Sequence, residues 1–394
     1  MVEHLLIVDD EPDLEIMITQ RLRKEIRSGK YALHFAQNGQ EALEVLIKNP
    51  EISVVITDIN MPIMTGLELL SNINKLQNAT LKVVIVSAYG DMKNIRFAMN
   101  NGAFDFLTKP IDFTDLEKTI EKTLQLIQTI KQGLKAQEEV ESHTRELDTA
   151  REVQLSMLPK AFPPFPNINQ FDIYGRMKAA KSVGGDFFDF FLIGDDRIGF
   201  VIGDVSGKGI SASIFMAVAR TIIRTFGVTG ISTNECLKRS NELLYANSSD
   251  SMFVTVFYGM LNYKTGELKY TNAGHNYPYL LTSRNNVIEM NTNSSVMLGA
   301  FDNAEFIENE IQLVPNTSIV MFTDGVTEAM NEDRQLLGNA SLTKYLAYMP
   351  AKDTPKNITD GIFDLVKQHT SNSEQSDDIT VLTLAYYGGE RSVI

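Results

Sequence analysis

Hydrophobic and polar positions alternate along this chain in three successive ways. Over residues 1 to about 120, short continuous apolar runs are each followed by a helical pattern. The run at 4–8 precedes apolar positions at Leu14, Ile18 and Leu22, and further runs fall at 31–35, 54–57, 81–87 and 103–109. Helical segments separate these runs, the clearest at 39–47. Strands that are apolar throughout are buried on both faces, and their alternation with helices predicts a doubly wound parallel sheet of five strands.

From residue 116 to 158 the chain becomes rich in Glu, Lys and Gln, with no proline before Pro159 and a single glycine, Gly133. This composition predicts one long helix, or two broken near the glycine. Ile120, Ile127 and Leu134 fall seven apart; Val140, Leu147 and Gln154 do so again, as do Ala150 and Met157. The second set is offset by one residue, which interrupts a heptad seam around 135–139. The stretch is either an exposed connector with charged faces or a dimerising helix that passes a signal.

Pro159, Pro163, Pro164 and Pro166 then mark entry into a new unit. Strands dominate there, at 171–176, 187–192, 197–203, 316–322 and 379–386, with 252–262 and 266–272 forming a hairpin. Helices group at 210–225 and 233–247, and a helical excursion covers 338–372 with a polar break at 352–356. The expected fold is a layered α+β sandwich, unlike the first unit. Domains are expected at 1–122 and 159–388, with a helical, coiled-coil-like linker at 123–158.

Composition narrows the function. The net charge is −14 over 394 residues, with no dense Lys/Arg cluster, which argues against a nucleic-acid partner. Cys236 is the only cysteine, so an internal disulfide or a cysteine zinc site is excluded and a buried structural thiol is expected. The start carries no signal-peptide pattern, and no apolar run approaches the roughly 20 residues of a membrane span. A cytoplasmic protein without a membrane partner is expected.

In a doubly wound sheet, function gathers at the carboxyl ends of the strands. That rule selects Asp9, Asp10, Asp58, Ser87 and Lys109. Converging carboxylates repel unless a divalent cation neutralises them, and all-oxygen ligands suit Mg²⁺. Asp58 is then the natural nucleophile toward a phosphoryl group, with Lys109 balancing charge and Ser87 donating to a phosphoryl oxygen.

With Thr57-Asp58-Ile59-Asn60-Met61-Pro62, Gly66, Ser87-Ala88 and Lys109-Pro110, the first unit resembles a two-component response-regulator receiver. The resemblance implies phosphorylation of Asp58 by a cognate histidine kinase. It implies Mg²⁺ held by Asp9, Asp10, Asp58 and the Asn60 carbonyl, and a switch aromatic at Phe106, where Phe lacks the hydroxyl of the commoner Tyr.

Acids also sit at strand ends in the second unit: Asp186 after two glycines, Asp204 and Asp324 each beside a glycine, and Asp377 opening the last strand. Without thiolate or paired imidazole partners these acids suit Mg²⁺ or Mn²⁺, and two such ions would clamp a phosphate ester and activate water. Around Lys208 the Walker pattern fails, since position 202 is Ile and position 209 is Gly. The run 204–209, Asp-Val-Ser-Gly-Lys-Gly, is instead similar to metal-dependent protein phosphatases of the RsbU/SpoIIE type. So are Gly184-Gly185-Asp186, Ala273-Gly274-His275-Asn276, Thr323-Asp324-Gly325 and Asp377-Asp378-Ile379-Thr380, in that order. The approach, Ala150-Arg151-Glu152-Val153-Gln154 with Leu158-Pro159, is similar too.

That resemblance implies two Mn²⁺ or Mg²⁺ ions held by Asp186, Asp204, the Val205 carbonyl, Asp324 and Asp377 rather than Asp378. His275 is expected to fix its loop by hydrogen bonding, and Asp189 to be a supporting or surface position. The resemblances imply a response regulator whose output is a protein serine/threonine phosphatase acting on a phosphorylated anti-sigma-factor antagonist of the STAS type. A homodimer through the linker is expected. The competing reading is a non-enzymatic adaptor that binds a sigma or anti-sigma factor, which has no need of the metal acids.

Overall fold

The computed structural model describes residues 2–88, 91–247, 252–283, 286–291, 293–349, 353–371 and 373–388. Two compact units divide the chain, Met1–His143 and Thr144–Ile394. The division falls inside one continuous helix rather than at either end of the linker expected from sequence.

The first unit runs β1 (Glu3–Val8), α1 (Pro12–Arg21), α2 (Arg23–Arg27), β2 (Tyr31–Ala36), α3 (Gly39–Lys48), β3 (Ile52–Asp58), α4 (Gly66–Lys75), β4 (Lys82–Ala88), α5 (Met92–Asn100), β5 (Asp105–Lys109) and the start of α6 (Phe113–Met157). Its strands form one sheet in the order β2-β1-β3-β4-β5, with every pairing parallel. Alternate side chains feed two cores. Leu6, Val8, Val55 and Ile85 meet Ala42, Leu46, Leu69 and Ile73, while Leu5, Ile7, Val54 and Ile56 meet Ile18, Leu22, Leu116, Ile120 and Ile127. The sheet is therefore covered on both faces, as the apolar runs require. A capping box starts α4: Glu68 N–H donates to Thr65 Oγ1 (3.3 Å) and Thr65 N–H to Glu68 Oε2 (2.8 Å). The helix thereby begins immediately after the loop that carries Asp58.

Helix α6 passes through Gly133 without a break, so the two-helix alternative is excluded. Its heptad positions divide between two uses. Ile120 and Ile127 are consumed by the first unit's own core, where burying each contributes about 1.5–3 kcal/mol. Gln154 is buried within the second unit. Leu134 and Val140 stay exposed, at 47% and 64%.

The second unit continues with β6 (Phe171–Lys178), β7 (Phe187–Ile193), β8 (Arg197–Val205), α7 (Ile210–Gly227), α8 (Thr233–Asn247), β9 (Val254–Asn262), β10 (Glu267–Ala273), β11 (Tyr279–Ser283), β12 (Asn286–Glu289), β13 (Asn309–Gln312), β14 (Thr317–Phe322), α9 (Asp324–Thr327), α10 (Gly338–Tyr348), α11 (Pro355–Thr370) and β15 (Ile379–Tyr386). Two antiparallel five-stranded sheets, β13-β10-β9-β8-β7 and β12-β11-β14-β15-β6, share a core that includes Ile173, Phe188, Phe200, Phe257, Met321 and Leu382. Helices α7 and α8 pack on the first sheet, and α10 and α11 join a separate core on the second, with Val320, Phe322 and Val381.

The β9–β10 turn follows from its residues: Asn262 Oδ1 accepts from the N–H groups of Lys264 and Thr265, and Gly266 supplies φ +82°. Strands β11 to β13 are not foreseen in the sequence. The expected 338–372 excursion is two helices; Lys352 and Asn372 lie outside the described residues.

One expectation is corrected. Helix α7 is, by length and hydropathy, apolar enough to cross a membrane, although sequence reading found no such run; only 28% of it is buried. Ala212, Met216, Ala219 and Ile223 face the core, while Ile210, Ile214 and Val218 are exposed.

A Cβ at Gly133 would meet nothing within 4 Å. Gly133→Ala is expected to stabilise α6 by about 1 kcal/mol and raise the far-ultraviolet helical signal on heating. A variant that melts earlier than wild type would contradict an unbroken helix there.

Candidate functional site

In the first unit the ends of β1, β3 and β5 bring acids and one base together. Ligand atoms of Asp9, Asp10 and Asp58 lie within 4.8 Å of one another. Lys109 Nζ is 3.0 Å from Asp9 Oδ2, 3.1 Å from Asp58 Oδ2 and 3.2 Å from Glu11 Oε1. Glu11 is a partner that sequence reading missed. Burial alone would lower the Lys109 ammonium, but its bonds to Asp9 and Asp58 outweigh this and hold it raised. Burial pushes the Asp58 carboxyl up, against the pull of Lys109. Asp58 Oδ1 accepts from the Ile59 N–H at 2.8 Å, which leaves Oδ2 toward the lysine.

Ser87 is fully buried and, among the described residues, its hydroxyl has no partner; it follows Val86, the strand neighbour of Asp58. Asn60 is exposed in the loop after β3, and Phe106 on edge strand β5 is 37% exposed. Gly66 is fixed by close approach, since a Cβ there would lie 2.0 Å from the Asp58 carbonyl.

In the second unit Asp186, Asp204, Asp324 and Asp377 come from four separate stretches and form a string. Asp186 is 1% exposed, and its Oδ2 accepts from Thr323 Oγ1 at 2.7 Å. Burial, then the charges of Asp204 and Asp378, raise its carboxyl well above the usual range. Asp204 lies within β8 rather than after it; burial and then Asp324 push it to about 7. Asp324 is raised by burial and by Asp377. Among the described residues no basic side chain is bonded to Asp186, Asp204 or Asp324. Lys208 reaches only the end of the string, 2.7 Å from Asp377 Oδ2. Clustered, partly buried carboxylates without a counter-charge fit a divalent cation set.

Asp377 and Asp378 divide their work. Asp378 accepts from the Ala180 N–H (2.8 Å) and the Gly185 N–H (2.7 Å), so its carboxylate holds the glycine loop rather than the string. A Cβ at Gly184 would lie 2.1 Å from Asp378 Oδ2, one at Gly325 1.8 Å from the Asp378 carbonyl, and one at Gly185 2.9 Å from the Val205 carbonyl. Gln154 clamps the same loop from α6: its Oε1 accepts from the Gly184 N–H (3.1 Å) and its Nε2 donates to the Gly184 carbonyl (2.6 Å). The signal was present in sequence, as a polar residue at a heptad position otherwise held by Val140 and Leu147.

His275 is buried, with Nδ1 2.9 Å from Thr255 Oγ1 and its N–H donating to Asn272 Oδ1 at 2.8 Å; burial lowers its pKa to about 4. Its bonds hold a loop. Asp189 is not a surface residue: it is fully buried, 2.7 Å from Arg224 Nη1 and 2.9 Å from Arg220 Nη2, and so ties β7 to α7. Cys236 is buried, and that burial pushes its thiol up to about 12.

The response regulator receiver domain family matches residues 5–121, and the Stage II sporulation protein E (SpoIIE) family matches residues 194–387. The chain is a response-regulator receiver joined to a SpoIIE-family domain. Asp186 and its glycines fall just before the SpoIIE match, so their place rests on the geometry above. Phosphoserine phosphatase RsbU of Bacillus subtilis is 28% identical over 63% of this chain and 71% of its own length. Protein IcfG of Synechocystis is 29% identical over 61% of this chain, which spans only 41% of that relative. Sporulation initiation phosphotransferase F of Bacillus subtilis is 32% identical across 97% of its length, covering 32% of this chain. Among solved structures, the RsbU and RsbW domains of a Mycobacterium tuberculosis protein superpose with a TM-score of 0.50 at 25% identity, over 56% of this chain and 61% of that one. The SiaA-PP2C domain of Pseudomonas aeruginosa shares the fold, with a TM-score of 0.55 at 18% identity over 64% and 98% of the two chains.

The raised Asp204 carboxyl gives a pH test in metal-free protein. An acid whose folded pKa exceeds its unfolded value of 3.8 adds stability below that value and loses it as pH rises to about 7. Asp204→Asn, which cannot ionise, is therefore expected to gain on wild type in melting temperature between pH 5 and pH 8. A difference that stays flat with pH would show that Asp204 carries no buried charge.

Proposed function

We propose that this protein is a receiver-controlled, metal-dependent protein serine/threonine phosphatase. The observation that carries the reading is the string Asp186–Asp204–Asp324–Asp377, one buried and three partly buried acids with too little positive charge of their own. The Val205 carbonyl, against which Gly185 packs, completes the oxygen set. Bound Mg²⁺ or Mn²⁺ would supply charge to a phosphate ester and lower the pKa of water, so no nucleophilic side chain is needed. The chain's own part is to orient the acids. Thr323 holds Asp186, Asp378 and Gln154 hold its loop, and the Ser206 hydroxyl accepts from the Phe253 N–H at 3.0 Å to fix the loop after β8.

In the receiver, Asp9, Asp10, Asp58 and the Asn60 carbonyl would hold Mg²⁺. Asp58 is the phosphoacceptor, Lys109 the counter-charge, Ser87 the donor to the transferred group, and Phe106 the switch position. Phosphorylation by a histidine kinase draws Lys109 and Ser87 to the new oxygens. The response is read through α6, whose last turns hold Gly184, two residues before Asp186. We favour activation as the sign.

The substrate class is a phosphorylated anti-sigma-factor antagonist, by likeness to RsbU, and the setting is cytoplasmic. The exposed Leu134 and Val140 suit a homodimer through α6.

The deciding assay is Mn²⁺-dependent hydrolysis of p-nitrophenyl phosphate and of a phosphoserine protein. Asp204→Ala is expected to abolish both, and Asp58→Ala to keep basal turnover while losing the response to an acyl-phosphate donor. No turnover with any metal, with or without the donor, would favour an adaptor. Gln154→Ala is expected to lower kcat roughly tenfold while Asp58 still accepts phosphate, as loss of an orienting partner does. Leu134→Glu is expected to weaken self-association by light scattering; an unchanged mass would remove α6 as the seam.

A further inference from the structure

Among the described residues, two groups of three ligand-bearing side chains converge within 4.8 Å: the receiver acids, and His4 with His34 and Glu51. The second group draws on two strands and the turn that leads into a third. His4 is on β1, His34 on β2, and Glu51 immediately precedes β3, where Ile52 pairs with His4. His34 pairs with Leu6 in the parallel register, so the two histidines sit diagonally on one face of the sheet. His4 Nδ1 is 3.1 Å from His34 Nε2 and 3.6 Å from Glu51 Oε1, and the rings stack at 5.4 Å between centroids. The side chains of His4 and Glu51 are 25% and 46% exposed, so solvent reaches the group.

Two features separate this arrangement from an ordinary hydrogen bond between histidines. First, His4 Nδ1 faces both an imidazole nitrogen and a carboxylate oxygen, and a neutral ring can offer its one proton to only one of them. A divalent ion would satisfy all three atoms together. Second, the spacings match the edges of a coordination shell. Metal–ligand bonds of about 2.0–2.1 Å at tetrahedral angles set neighbouring ligand atoms about 3.3 Å apart.

We propose that His4, His34 and Glu51 form a transition-metal site of the zinc class. Two imidazoles and one carboxylate favour Zn²⁺ over the Mg²⁺ suited to the oxygen-only acid groups, and water takes the remaining position. The site lies toward the amino-terminal end of the strands. Five residue steps along β1, about 16 Å of extended chain, separate His4 from Asp9. The receiver thus carries a cation site at each end of its sheet, with different ligand chemistry.

The test uses tag-free, full-length protein in excess Mg²⁺, which occupies the oxygen-only groups. Co²⁺ is titrated while visible absorption is recorded, because a four-coordinate imidazole site absorbs far more strongly than an octahedral oxygen site. Wild type is expected to develop an intense band that saturates at one equivalent and is discharged by Zn²⁺. His34→Ala is expected to lose the band. Glu51→Gln, at an exposed position, is expected to weaken Co²⁺ by at least the roughly 10–100-fold that losing an outer partner costs. Acyl-phosphate labelling of Asp58 in each variant reports that the receiver is still folded. If His34→Ala fails that control, Glu51→Gln carries the test. The proposal is overturned if wild type gives no intense band, or if a folded variant keeps the same band and stoichiometry; the pair is then a plain imidazole hydrogen bond.

Discussion

The carboxylates of Asp186 and Asp204 lie beside each other where water reaches them poorly, with Asp324 next in line. Removing a carboxylate from water costs several kcal/mol unless an opposite charge accompanies it, and like charges alongside add to that cost. The surrounding fold arranges itself to tolerate this. Thr323 donates a hydroxyl, burial raises the carboxyls of Asp186 and Asp204 above their usual range, and Lys208 neutralises only the far end. The receiver solves the same problem differently. One ammonium, Lys109, touches three acids at once and keeps its own proton by doing so. Each unit therefore gathers carboxylates in one place, and the two balance them by different means.

Helix α6 connects these places in sequence through different chemistry at its two ends. Its first turns are anchored by aliphatic side chains in the receiver core, an interaction without directional preference. Its last turns are anchored by an amide that makes two directed hydrogen bonds to one glycine. Apolar burial tolerates small sliding, whereas a paired amide does not. Of the two anchors, the one at Gly184 is therefore the more exacting in geometry.

Much of this was legible in the sequence, for physical reasons. Central parallel strands must be apolar on both faces, so β1, β3 and β4 announce themselves as runs. The long strands β7 to β10 do so through aromatic and aliphatic content. Strands β12 and β13 escaped because short, largely exposed edge strands carry no such signal. The acids at strand ends were identified by motif and brought together by the fold, but their division of labour was not. Nothing in an Asp-Asp pair tells which carboxylate is occupied by backbone N–H groups 193 and 198 residues away. Asp189 looked like a supporting or surface residue because Arg220 and Arg224 are remote in sequence. The heptad pattern marked Ile120, Ile127 and Gln154, but each of them serves the interior of one unit.

Asp378 has one more consequence, for how this domain can change over generations. Its side chain occupies the volume a Cβ would need at Gly184, and its carbonyl does the same at Gly325. One position is in the loop before β7 and the other in α9, yet neither can acquire any other residue while the aspartate and its backbone stay in place. Shortening the aspartate would free the first position and not the second, because the second is blocked by main chain. The three sites therefore behave as a ratchet. Drift through single substitutions is closed at Gly325 outright, and at Gly184 is open only by way of a prior loss at 378, which itself releases the loop bearing Asp186.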